Sequence, residues 1–155
     1  MPAGDASSDL DTTSHPDGAL SLHATSVALD GRALLILGPS GAGKSGLAAQ
    51  MICLGATLVS DDQTRLTIRD GSLVAGTPPQ APKLLELRGL GLCPAAAITS
   101  AAVVGALRIS PSTARLPVPE HVTLLQRSIP VHRHPLTADL AAKLILLLRW
   151  GLAAT

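Results

Sequence analysis

The chain has 155 residues, 46% of them hydrophobic and 15% charged, with a formal net charge of +1. That length suits one domain with a proper core, and that composition suits a packed globule rather than a disordered chain. The near-neutral balance gives no basic footprint for nucleic acid or an anionic membrane, and Trp150, alone among Phe, Tyr and Trp, provides no platform for stacking bases.

In chain order, residues 1–20 lack the basic start and apolar stretch of a signal peptide and are expected to form a disordered tail, leaving a single domain over residues 21–155. "LHATSVAL" (22–29) alternates and reads as one strand, Asp30-Gly31 as a tight hairpin turn, and "RALLILG" (32–38) as a returning strand apolar enough to be buried on both faces. "KSGLAAQMICLG" (44–55) has helix-forming residues and ends at Gly55. A short strand at 56–62 ends in two carboxylates, and 64–76 reads as a second hairpin about Asp70-Gly71.

Residues 77–92 begin as a proline-rich loop and become a segment carrying Glu86 and Arg88, and "AAVVGALRI" within 95–109 is strand-like. A loop through Arg115 follows, then one more short strand in "HVTLLQRSIPV", then a final packed helix over 137–150 with Thr137 as N-cap. That helix contains Lys143 and Arg149, and its apolar run falls short of the roughly 20 residues of a membrane span. Cys53 and Cys93 lie in apolar surroundings and read as two buried, reduced thiols of a cytoplasmic protein. Hairpins on either side of the first helix predict an α/β fold with a mixed, partly antiparallel sheet rather than a doubly wound parallel one.

Gly38-Pro39-Ser40-Gly41-Ala42-Gly43-Lys44-Ser45 fits the phosphate-binding pattern G-x-x-x-x-G-K-[ST], between an apolar strand and a helix. Glycines let successive N–H groups and the helix N-terminus face phosphates, a lysine reaches the outer phosphates, and the hydroxyl after it ligates Mg²⁺. The implied cofactors are therefore a nucleoside triphosphate and Mg²⁺. The loop does not name the reaction: it also serves small-molecule kinases, nucleoside triphosphatases and catalytically silent nucleotide-binding modules.

Asp61 and Asp62 end a buried strand, and adjacent side chains on a strand point in different directions. One can face a metal and the other an acceptor hydroxyl, although an acidic strand end is also common as a plain turn. In an extended segment Glu86 and Arg88 lie on one face, suited to a metal and a phosphate, or to a surface ion pair. By themselves His23 and Arg115 read as a strand histidine and a loop arginine.

Together, His23, "GPSGAGKS", "LVSDD" and "LLELRGLGL" resemble, in order and spacing, the catalytic domain of the bacterial HPr serine kinase/phosphorylases. Members carry a histidine before the loop, a strand ending in A-D-D and the signature L-E-[IL]-R-G-L-G. The resemblance runs from about residue 20 to residue 92, and the chain looks like the short form without the N-terminal domain. It implies a phosphate-loop fold related to phosphoenolpyruvate carboxykinase and an ATP-dependent kinase acting on a serine of the phosphocarrier HPr. It further implies Lys44 and the loop amides on ATP, Ser45 and Glu86 on Mg²⁺ with Asp61 beside them, and Asp62, or else Asp61, as base. His23, Arg88 and Arg115 would position phosphate and balance its charge. Longer members are hexamers, so a homo-oligomer is implied. They also run the reaction backwards as a phosphorolysis, through a segment of type P-V-R-P-G-R-N; here the chain reads "IPVHRHPLTAD", without the glycine and asparagine.

Overall fold

The computed structural model describes the backbone of residues 4–5 and the whole of residues 10–111 and 117–153. Its elements in chain order are β1 (Gly4–Asp5), β2 (Thr12–Ser14), β3 (Leu20–His23), β4 (Thr25–Leu29), β5 (Arg32–Leu37), α1 (Lys44–Cys53), β6 (Thr57–Ser60), β7 (Gln63–Arg69) and β8 (Ser72–Gly76). After them come β9 (Leu84–Leu87), β10 (Gly91–Pro94), β11 (Ser100–Ile109), β12 (Glu120–Leu124), β13 (Arg127–His134) and α2 (Leu140–Trp150). All strands join one sheet except β9 and β10, which form a separate hairpin.

The sheet is mixed, as the hairpins predict. At its centre β5 pairs antiparallel with β4 and parallel with β11, and β4 pairs antiparallel with β6. The long β11 changes partner along its length, running antiparallel to β8 over 100–102 and parallel to β13 over 106–109. The apolar "ALLIL" of β5 is buried on both faces. Leu34 and Ile36 pack with Leu47 and Met51 of α1 and with Leu140, Leu144 and Leu148 of α2. Ala33, Leu35 and Leu37 face a second cluster that includes Leu22, Leu66, Leu73, Val122 and Val131 from the other strands. The central strands are thus fixed from both sides at the point where the phosphate loop leaves β5.

Several expectations are corrected. Within residues 1–20, expected to be loose, β2 pairs antiparallel with β3 across a His15-Pro16-Asp17-Gly18 turn, and β1 pairs with β12. The turn is closed by the Ala19 amide on Asp17 Oδ1, 3.0 Å, as the P-D-G sequence favours. The strand expected over 22–29 is two, because at Ala24 the chain leaves β2 and β7 for β5 and β6. Residues 120–134 hold two strands, joined at Leu125 (φ 49) and Gln126 (φ 64). Helix α2 starts at Leu140 after Asp139; Thr137 bonds Asp139 Oδ1 at 2.6 Å and does not cap the helix. Cys53 is exposed and Cys93 half-buried, both as free thiols, since the buried stripe of α1 is Lys44, Leu47, Ala48 and Met51. Among the described residues no helix is long and apolar enough to cross a membrane.

Candidate active site

The phosphate loop spans from β5 to α1 and borders a cleft of about 1040 Å³. Gly41 (φ 83) and Gly43 (φ 103) take left-handed conformations, and a Cβ on Gly43 would also run into Leu136 Cδ1. Gly43 caps α1 without any side-chain hydrogen bond, so the first amides of the helix, at Lys44, Ser45 and Gly46, border the cleft as an anion-binding end. The Lys44 ammonium folds back over the loop, donating to Gly38 O at 2.8 Å and Pro39 O at 3.0 Å. Burial pushes its pKa below the ordinary lysine value, against the opposing pull of Asp62 and Asp61.

The strand expected over 56–62 ends at Ser60, and the two aspartates lie in the bend after β6, where their side chains separate. Asp61 turns toward the loop: its Oδ1 accepts from Ser45 Oγ at 2.7 Å and from Thr25 Oγ1 at 2.9 Å, and its Oδ2 accepts from the Glu86 amide at 3.1 Å. Asp62, in the left-handed region at φ 68, leaves its side chain 70% exposed, with Oδ1 2.9 Å from His23 Nε2. His23 ends β3, where pairing with Gln63 of β7 brings it beside the Asp pair.

Glu86 and Arg88 do not share one face of an extended strand. Glu86 lies in β9, while Arg88 follows it in the turn to β10, closed by the Leu90 amide on Leu87 O at 2.9 Å. The glycines of "RGLG" favour that turn, and both side chains still line the cleft. Arg115 lies outside the described residues.

Among the described residues no group of three or more His, Cys, Asp or Glu side chains is arranged to hold a metal. The hydroxyl of Ser45 with the carboxylates of Asp61 and Glu86 is nevertheless an all-oxygen donor set beside a phosphate loop. It fits Mg²⁺, which takes one or two carboxylates and completes its shell with water and substrate phosphates.

Two contributors were not singled out from the sequence. Thr25, buried at the start of β4, touches both aspartates, since its Oγ1 also accepts from the Asp62 amide at 3.3 Å. Arg108, near the end of β11, lines a smaller recess of 400 Å³ together with His23, Gly38 and Ser40. The pairing of Arg108 with Leu37, the last residue of β5, brings it there; a single arginine in an apolar strand carries no sign of that.

A phosphate loop between a central apolar strand and a helix, in a mixed sheet with carboxylates just past the end of the next strand but one, defines a P-loop kinase fold. Residues 18–109 match the family model of the HPr serine kinase C-terminal domain, and the chain belongs to that family. It is 41% identical over 73 residues to the HPr kinase/phosphorylase of Limosilactobacillus reuteri, an alignment covering 46% of this chain and 23% of that protein. Against the HPr kinase/phosphorylase of Clostridium beijerinckii it is 41% identical over 71 residues, covering 46% and 24%. The chain thus matches about a quarter of the length of these curated relatives. The structure superposes on the Hpr(Ser) kinase/phosphatase from Coxiella burnetii with a TM-score of 0.74 and 22% identity, over 83% of this chain and 88% of the other, a likeness of fold.

Proposed function

We propose that the chain is an ATP- and Mg²⁺-dependent protein kinase that phosphorylates a serine of an HPr-type phosphocarrier protein. The division of labour between the two carboxylates carries this reading. Asp61 is bound to the Ser45 hydroxyl, whereas Asp62 faces the open cleft with His23 at 2.9 Å. The names of the relatives, HPr kinase/phosphorylase, supply the acceptor.

In this reading the loop amides and Lys44 hold the triphosphate, with the lysine exchanging its two carbonyl partners for phosphate oxygens. Ser45, Asp61 and Glu86 would hold Mg²⁺, which supplies neutralisation of phosphate charge when bound. Asp62 accepts the proton of the acceptor serine as its oxygen bonds to the γ-phosphorus and the bond to the departing ADP oxygen breaks. His23 orients Asp62, and Arg88, with Arg115 by resemblance, balances charge on the transferred group. The reading places this chemistry in one cytoplasmic domain, working as a homo-oligomer, a hexamer as the resemblance implies.

The test is incubation with Mg-ATP and an HPr-type protein, followed by intact mass and site mapping. One phosphoryl group on a serine is expected. ATP turnover without that product would favour a small-molecule kinase or triphosphatase, and binding without turnover a silent module. Phosphorolysis is assayed separately, as pyrophosphate released from phosphoserine-HPr and inorganic phosphate.

A further inference from the structure

The buried polar side chains among the described residues are Thr25, Ser26, Lys44, Ser60 and Thr64, and all lie in or beneath the site. A buried hydroxyl is costly unless bonded, so its partner shows what it does. Ser26 bonds Thr64 at 2.8 Å, Thr64 donates to Ala24 O at 2.9 Å, and Ser60 donates to Gln63 O. Those three tie strands together. Thr25 alone gives its proton to a carboxylate of the site, Asp61 Oδ1, and with a lone pair accepts the amide of Asp62.

We infer that Thr25 is the positioning residue that sets both aspartates at once, a role that rests on the kinase reading of the site. Asp61 has three donors: Ser45 Oγ, Thr25 Oγ1 and the Glu86 amide. When the Ser45 hydroxyl turns to a metal, Thr25 and the Glu86 amide remain to aim the carboxylate at it. The same threonine secures the backbone of Asp62, which stands at φ 68, a conformation that aspartate tolerates but that needs support from its surroundings. One hydroxyl therefore couples the metal-directed carboxylate to the base.

The test compares wild type, Thr25→Val and Thr25→Ser by calorimetric titration with ADP, with and without Mg²⁺, and by single-turnover transfer. Thr25→Val should leave metal-free ADP affinity unchanged and reduce the Mg²⁺-dependent gain about tenfold or more, as loss of a group that orients a metal ligand does. Its transfer rate should fall without a change in KM for the acceptor, and Thr25→Ser should restore both. A full Mg²⁺-dependent gain in Thr25→Val, a Thr25→Ser variant as impaired as the valine, or no gain in wild type would overturn the proposal. If wild type shows the gain, Thr25→Val loses it and no protein transfers phosphate, the kinase reading and the coupling to a base fall, while the positioning of Asp61 by Thr25 stands. A measurement independent of substitution is hydrogen exchange of the Asp62 amide in the wild-type protein. Slow exchange is expected, and free exchange overturns the proposal even if Thr25→Val does not fold.

Discussion

Residues 18–109 and residues 117–153 complete the same sheet but bury different chemistry. The first stretch carries every buried polar side chain among the described residues, from Thr25 to Thr64, and each is placed by a hydrogen bond. The second buries only apolar ones: Val122, Leu124, Ile129 and Val131 in one cluster, and Leu140, Ala141, Leu144, Ile145 and Leu148 in the other. Hydrogen-bond geometry fixes residue identity, whereas apolar packing asks mainly for volume and pattern. The family match ends at residue 109, while β12, β13 and α2 still complete the fold.

The contrast can be broken at its apolar end. Leu148→Ala removes a side chain that is 1% exposed, and a stability loss of about 2–5 kcal/mol is expected in denaturant titration. Thermal protection by Mg-ATP should persist in the folded fraction. Loss of nucleotide binding at full stability would show that α2 serves the site directly.

A smaller effect tests the place where the two stretches meet. Gly43→Ala adds a Cβ against Leu136 at φ 103, with an expected loss of about 1–3 kcal/mol from backbone strain and crowding. Leu136→Ala in the same chain should recover only the crowding part. Full recovery would show that backbone strain contributes nothing.

The smallest effect concerns pH. Burial pushes the half-buried His132 imidazole of β13 below its ordinary value of 6.5. The unfolded chain therefore takes up this proton first, so the associated stability is complete above pH 6.5 and is lost as pH falls through the native pKa. His132→Gln should flatten that part of the curve of denaturation midpoint against pH. An identical slope in the variant would place the dependence elsewhere.

What the sequence discloses depends on how local each demand is. The phosphate loop, the Asp pair and both Asp-Gly hairpins were legible because few residues meet their backbone and ligand demands; Asp30 and Asp70 both stand at φ 52. The same left-handed turn at Leu125-Gln126 was hidden, since neither residue advertises positive φ. Thr25 was hidden for another reason. Its partners lie 36 and 37 residues away, and a threonine in a strand reads as ordinary β-sheet composition. The break at Ala24 was masked because apolar patterning continues through a change of partner strands. Arg88 was misplaced because the pattern of "ELR" is compatible with a strand, while the turn depends on Gly89 and Gly91 after it.

The central claim is that adjacent aspartates do different work, and Asp62→Asn tests it most directly. In parallel measurements of single-turnover phosphoryl transfer and Mg-ATP affinity, transfer should fall by about 10²–10⁴-fold, the contribution of a general base, while affinity stays at the wild-type value. Equal loss of both, or transfer that survives the substitution, would contradict the assignment of Asp62 as the base.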